Sequence, residues 1–193
     1  MKERINKLLR TSRDSSFNRH SYSVSKELKN FVEGMTLHTW YEANDHQRSY
    51  KDMDINHQEW LQRITPPFQR ANNKWTKKMK VKFIENLLNG AKTELLFYRF
   101  NENEDALILD GLQRTTAIVD FFAGKVKPFG FTHKQLEEHL RAFQTNITIK
   151  IYTFDKIEEV GKFYIDMNEN ITHSKADIQK AKDWFLEEKG IEL

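Results

Sequence analysis

Residues 107–122 read LILDGLQRTTAIVDFF, and this stretch decides the fold of the chain. Its first three residues form an apolar run that is typical of a short buried strand. Asp110 and Gly111 interrupt the run, and from Gln113 onward apolar side chains recur at helical spacing. The pattern therefore predicts a strand that ends in a tight turn and leads directly into a helix.

The turn at Asp110 and Gly111 is typical of an anion site. A helix that follows a strand in this way directs its first backbone N–H groups and the positive end of its dipole beyond the strand end. Gly111 lets a ligand approach the backbone closely, and Arg114 offers a planar charged fork that suits phosphate. Asp110 would repel phosphate, so we expect it to hold Arg114, bind a metal ion or polarise water. Residue chemistry alone leaves open a second interpretation, a structural joint in which Asp110 caps the helix.

Composition and length restrict the class of protein. The chain has 193 residues, of which 38% are hydrophobic and 31% charged, and this suits a soluble domain with a core. It contains no cysteine, which excludes disulfides and cysteine-ligated zinc. No stretch approaches the ~20 apolar residues of a membrane span, and the N-terminal segment lacks the apolar region of a secretory signal. A cytoplasmic location without membrane contact is therefore expected.

Two segments of the chain are strongly basic. Residues 1–30 carry eight Lys or Arg against three Asp or Glu, and residues 61–82 carry seven Lys or Arg and no acid. Such blocks are typical either of a solvated helix face or of a surface that binds a polyanion such as DNA. Because the second block adjoins other candidate site residues, we predict nucleic-acid contacts there. The candidates are Lys74, Lys77, Lys78 and Lys82.

Apolar spacing and capping signals predict a mixture of strands and helices. Strands are predicted over residues 94–100, 106–109 and 146–154, and the first two are expected to form a hairpin. Helices are predicted from Ser25 to Gly34, from Thr76 to Asn89, from Gln113 to Gly124, after Thr132, after Asp155 and after Ser174. The sequence thus predicts a single domain, residues 22–193, preceded by a basic N-terminal arm, residues 1–21.

A polar insertion at about residues 35–60 contains scattered histidine and aspartate residues. They are His38, Asp45, His46, Asp52, Asp54 and His57. Their spacing matches no compact metal-binding pattern, such as two histidines four residues apart on a helix. We therefore interpret them as surface polar residues.

Several motifs occur in an order that resembles a known family. They are PPFQR at 66–70 followed by Trp75, LLNG at 87–90, DGLQRTTAIVDFF at 110–122 and FYIDMNENITHSKADIQKAK at 163–182. This order is similar to the ParB/sulfiredoxin-like domain family with the signature DGQQR. That domain is the N-terminal part of GmrSD-type modification-dependent restriction enzymes and of related phage-defence proteins. The resemblance covers about residues 22–182, most of the chain.

The resemblance implies an α/β fold, a small mixed sheet flanked by helices, with a nucleotide or phosphate site at the DGQQR turn. Some members are described as NTPases that couple NTP hydrolysis to DNA cleavage. NTP and Mg²⁺ are therefore the implied cofactors, and DNA is the implied partner. The wider group also includes CTP-binding partition proteins and nucleases.

Carried over onto this sequence, the resemblance implies the following site residues: Asp110, Gln113, Arg114 and Arg70 as catalytic, and Gly111, Arg114, Thr115, Gln69, Arg70 and Asn168 as nucleotide- or phosphate-binding. Arg114 and Arg70 would hold phosphate, and Asp110 would orient water or a divalent metal ion. Gln113 would position water or the base, and Asn168 would close the site.

The sequence departs from the family pattern at one site position and in length. Leu112 stands where the signature has its first Gln, which puts NTP hydrolysis in question. The chain ends soon after the last family helix, so we expect nuclease activity to need a separate subunit or a homo-oligomer. Two alternatives stay open: a metal-dependent DNA nuclease or nickase that uses the same site, and a DNA- or protein-binding module without turnover.

Overall fold

The computed structural model describes residues 21–28, 57–100, 106–139, 145–169 and 173–193. The N-terminal arm up to residue 20 lies outside the described residues. The same holds for most of the polar insertion and for the side chain of His57, and therefore for the scattered histidines and aspartates.

Four strands form one mixed sheet in the order β1-β4-β2-β3. The strands are β1 (Ser21–Glu27), β2 (Glu94–Arg99), β3 (Leu107–Asp110) and β4 (Asn146–Thr153). β4 pairs antiparallel with β1 and parallel with β2, while β2 and β3 pair antiparallel. The three predicted strands and the predicted hairpin are therefore confirmed.

Six α-helices lie in the described part of the chain. They are α1 (His57–Arg63), α2 (Lys77–Leu88), α3 (Leu112–Phe122), α4 (His133–His139), α5 (Ile157–Asn168) and α6 (Lys175–Lys189). The predicted caps of α2 and α6 are confirmed. Thr76 Oγ1 accepts the N–H of Met79, and Ser174 and Asp177 form a capping box. None of these helices has the length and hydropathy that crossing a membrane requires.

The prediction that Ser25 caps a helix is wrong, because Ser25 lies within β1, while residues 29–34 of that predicted helix lie outside the described residues. The strand reads SYSVSKE, in which Tyr22 and Val24 are half-buried and the three serines that alternate with them are exposed. This alternation has the period of a strand with one covered face. β1 pairs with β4 along its full length, so backbone bonds to a distant segment replace the local bonds of a helix.

The sheet separates two hydrophobic cores. In the first core, Leu95 and Phe97 pack with α1, α2 and α3. In the second core, on the opposite face of the sheet, Leu96 and Tyr98 pack with α5 and α6. β2 is buried on both faces because it is an interior strand with helices on either side. The expected α/β fold, a small mixed sheet flanked by helices, is thus confirmed. The turn after β3 emerges at the boundary between the two cores.

Candidate functional site

The turn between β3 and α3 depends on glycine. Gly111 adopts φ 100° and ψ 17°, a left-handed conformation that strains other residues. A Cβ at this position would also lie 2.7 Å from Leu95 Cδ2, inside van der Waals contact. The chain therefore reverses from strand to helix in a single residue, and this reversal places Asp110 and Arg114 one helical turn apart.

Asp110 and Arg114 form an ion pair at this turn. Arg114 Nη2 lies 2.6 Å from Asp110 Oδ2, and the two side chains are 29% and 27% exposed. The N-cap residue of α3 is Gly111, which has no side chain to cap the helix, and Asp110 holds Arg114. The site thus presents one oriented guanidinium group at the N-terminus of an 11-residue helix.

Gln69 links the segment before Arg70 to β3. Its side chain is only 5% exposed. The Nε2 group donates to two successive backbone carbonyls, Ile108 O at 3.0 Å and Leu109 O at 2.9 Å. Both donors of the amide group are therefore bonded to the strand that leads into the Asp110 turn.

Gln113 makes the reverse link, from α3 back to the segment after Arg70. It is 3% exposed, and its Oε1 accepts the N–H of Trp75 at 3.1 Å. Its Nε2 donates to Ala71 O at 3.3 Å. The two glutamines thus cross-brace the segments that carry Arg70 and Arg114.

Tyr164 and His173 complete the surroundings of Arg70. The backbone N–H of Arg70 donates to the Tyr164 hydroxyl, and Tyr164 Oη lies 3.3 Å from His173 Nε2. Which of the two groups donates in this bond depends on the tautomer of His173.

Burial and nearby charges shift the pKa of both His173 and Tyr164. Burial, followed by the positive charge of Arg70, lowers the pKa of His173 to about 4, so the imidazole is neutral at pH 7. Burial raises the pKa of Tyr164 to about 12. The positive charge of Arg70 lowers the pKa of both groups, and the negative charge of Asp110 raises the pKa of both.

Asn168 is hydrogen-bonded to the backbone of both Tyr164 and His173. It is 1% exposed, and its Nδ2 donates to Tyr164 O at 2.8 Å. Its backbone carbonyl accepts the N–H of His173 at 3.3 Å. The predicted ligand contact of Asn168 stays a prediction, and these bonds show it orienting the chain at both Tyr164 and His173.

Thr115 is buried and Trp75 is half-buried, and the contact of Thr115 with a ligand stays a prediction. Thr115 is fully buried, and its hydroxyl has no hydrogen-bond partner within the described ranges. The Trp75 ring packs edge-on against Phe83 with ring centroids 5.3 Å apart. Trp75 therefore fills the edge of the first core.

The basic block divides into structural and exposed lysines. Lys80 is largely buried and pairs with Asp120 at 2.7 Å, so it belongs to the packing of α2 on α3. Lys74 pairs with Asp177 at 3.0 Å and ties the loop after Arg70 to α6. Lys77, Lys78 and Lys82 are exposed on α2. No hydrogen bond or ion pair between described residues joins these three to the Asp110 turn.

We call Arg70, Asp110, Gly111 and Arg114 the arginine site, and Tyr164 and His173 lie beside it. Those two residues were missed from the sequence, although Tyr164 stands four residues before Asn168 and shares its helix face. The described residues contain no group of three His, Asp or Glu that could hold a metal ion.

The mixed sheet, the flanking helices and the strand–glycine–helix turn define an α/β domain. The family model of the GmrSD restriction endonuclease N-terminal domain matches residues 50–191. The chain belongs to this family, which identifies it as a DNA-related module of restriction systems. No curated protein and no solved structure matches the chain.

Proposed function

We propose that the arginine site binds the phosphates of a nucleotide and that this binding serves DNA restriction. The observation that carries the proposal is the cross-bracing of two arginine-bearing segments by Gln69 and Gln113. Buried hydrogen bonds of the glutamine side-chain amides fix the backbone before Arg70 and at Arg114. An arginine on each of the two braced segments, one of them in the first turn of α3, favours a polyanion such as a triphosphate.

The ion pair of Arg114 leaves the arginine able to bind. A guanidinium group carries five N–H donors, and the hydrogen bond to Asp110 engages one of its nitrogens. Asp110 therefore orients the fork, while the remaining donors suit phosphate oxygens. Arg70 adds a second positive charge, which lowers the pKa of both His173 and Tyr164.

A magnesium ion fits this site only in a limited way. Mg²⁺ is commonly bound by one or two carboxylates together with substrate phosphates, and Asp110 is the carboxylate of the arginine site. Bound there, Mg²⁺ would neutralise charge on the phosphates.

Two positions of the DGLQR segment, Leu112 and Gln113, stabilise the fold of the site. Leu112 is 3% exposed and packs in the first core, so this position contributes packing. Both ends of the Gln113 amide are bonded to the loop after Arg70, which makes Gln113 a positioning residue. The groups left to act on a bound nucleotide are Arg70, Arg114 and Asp110.

Calorimetric titration with the four common NTPs and Mg²⁺ tests the proposal. We expect binding of at least one NTP, with an affinity at least tenfold lower in Arg114→Ala, because a charge-assisted bidentate contact is worth about 1.5–3 kcal/mol. Arg114→Lys should restore only part of it, since lysine keeps the charge without the fork. Arg63→Ala, at an exposed arginine of α1, is the matched control. Absence of binding by every NTP, or full binding by Arg114→Ala, would contradict the proposal.

We further propose that Lys77, Lys78 and Lys82 on α2 contact DNA phosphates. Their exposure and the lack of acid in residues 61–82 support this. A triple alanine variant should lower the slope of log affinity against log salt by up to about 0.9 for each phosphate that is no longer neutralised. A triple variant at Lys162, Lys180 and Lys189 changes net charge equally on the other face of the sheet. Equal slopes for the two variants would remove α2 from the DNA surface.

A further inference from the structure

An exposed aromatic turn lies between α3 and α4. Phe129 and Phe131 flank Gly130, and their side chains are 47% and 50% exposed. Phe129 has φ 52° and ψ 16°, a left-handed conformation that is rare for a bulky residue. No other non-glycine residue in the described ranges has a positive φ. The fold therefore holds one aromatic side chain outward at a cost in backbone strain, as functional sites often do.

The aromatic turn, residues 128–131, is fixed to α2. The N–H of Phe129 donates to Glu85 Oε1 at 3.1 Å. Lys78, Lys82 and Glu85 follow one another at helical spacing and share one face of α2. Phe129 is therefore bonded to the end of a stripe that carries two exposed lysines.

The sequence around the aromatic turn is also basic. Residues 121–136 contain Lys125, Lys127 and Lys134 and no Asp or Glu. All three lysines are exposed. Positive charge thus lies both on the neighbouring helix and within the turn's own segment, which complements a polyanion.

We propose that the aromatic turn binds nucleic acid whose bases are unstacked, with Phe129 and Phe131 stacking on bases while the α2 lysines contact phosphates. Exposed aromatic rings set among lysines are the combination that single-stranded nucleic-acid surfaces use. Duplex backbone contact requires charge alone and would leave the two rings without a role. The proposal rests on the DNA contact of α2 proposed above and adds the form of the DNA.

A double variant, Phe129→Asn with Phe131→Ala, tests the stacking. Asparagine tolerates the left-handed conformation of residue 129, so the backbone of the turn is kept. Fluorescence anisotropy should show weaker binding of labelled oligothymidine, by at least about fivefold for each ring that stacks on a base. The affinity for a matched duplex should change by less than about twofold, and the salt slope should stay the same because no charge is removed.

Two further variants separate the outcomes. Met79→Ala removes an exposed apolar side chain of α2 that is not aromatic, and it should bind both DNA forms as the unchanged protein does. Lys78→Ala with Lys82→Ala should weaken both forms and lower the salt slope. Melting temperatures of all variants should match or exceed that of the unchanged protein, because the substituted side chains are exposed.

The stacking proposal is overturned if the Phe129/Phe131 variant binds oligothymidine normally, or loses single-stranded and duplex binding equally. It is also overturned if sedimentation shows a dimer that this variant abolishes, since a second copy would then cover the rings. If the lysine variant keeps full affinity for both forms, the DNA contact of α2 fails as well. Failure of the aromatic variant alone leaves the proposed function intact.

Discussion

The candidate site contains two Gln-Arg pairs, at residues 69–70 and 113–114, and the glutamine and the arginine play similar structural roles in both. Each glutamine is almost fully buried and bonded to backbone, and each arginine that follows is only partly buried. They differ in what the glutamine holds. Gln69 is bonded to a strand through its amino group alone, whereas Gln113 is bonded to a loop through both ends of its amide.

In both pairs the glutamine stabilises the fold, and the arginine is the residue that we propose to bind the ligand. Gln69 fixes the Arg70 segment to the sheet, and Gln113 fixes the following loop to α3. The glutamines therefore fix the backbone next to each arginine, and the arginines are the groups that we propose to bind a ligand. Gln62-Arg63 on α1, where both residues are exposed, provides an internal control with the same dipeptide.

The largest effect is expected at Gln69. Gln69→Ala leaves two buried backbone carbonyls without their donor, and each unsatisfied group costs about 1–3 kcal/mol. We expect unfolding in urea to show a loss of about 3 kcal/mol, against less than about 0.5 kcal/mol for the exposed Gln62→Ala. Equal small losses in the two variants would mean that Gln69 does not brace the sheet.

Gln113→Glu tests the two hydrogen bonds of the Gln113 side chain separately. The carboxylate still accepts the N–H of Trp75 but cannot donate to Ala71 O, and it adds a charge at a position that is 3% exposed. We expect a stability loss of about 2 kcal/mol, together with weaker nucleotide binding because the loop after Arg70 is released. Retained stability without nucleotide binding would instead assign Gln113 a direct ligand contact.

Arg114→Ala should reverse the pattern of the glutamine variants. Its ion pair with Asp110 is partly exposed, so removal should cost less than about 1 kcal/mol of unfolding free energy. Nucleotide affinity should nevertheless fall at least tenfold. Urea unfolding and calorimetry on the same preparation check both values. A large stability loss would place Arg114 with the glutamines as a structural residue.

The smallest expected effect is the pH dependence at His173. Its folded pKa of about 4 lies below the unfolded value of 6.5, so only the unfolded state binds the proton between these values. The protein should therefore lose stability as pH falls through this range. His173→Gln should lose less between pH 7 and 5, by on the order of 1 kcal/mol after solvent screening. Identical pH profiles would contradict the lowered pKa of His173, and with it the burial and the positive charge of Arg70 that lower it.

Local patterns were sufficient for most of the fold. The apolar run before Gly111, the hairpin and the caps at Thr76 and Ser174 depend on residues close in sequence, and all were predicted. β1 was missed because its pairing with β4 joins Ser21 to Tyr152, and a pairing that distant leaves only a weak alternation in SYSVSKE.

The same distinction applies to the site. The arginines and Gly111 were predicted from residue type and motif. The bonds of the glutamines join segments 38 to 42 residues apart and follow from packing that no local pattern shows. His173 was passed over because its neighbour Tyr164 lies on α5 and its charged neighbours lie on other elements.

The most direct test of the central claim is a double-mutant cycle of Arg70→Ala and Arg114→Ala, with binding of inorganic tripolyphosphate and of the four NTPs measured by calorimetry. If both arginines contact one polyanion, each single variant should weaken binding at least tenfold, and the double variant should show a coupling of about 0.5–3 kcal/mol. Affinities unchanged in both single variants, or fully additive losses without coupling, would contradict a shared phosphate site.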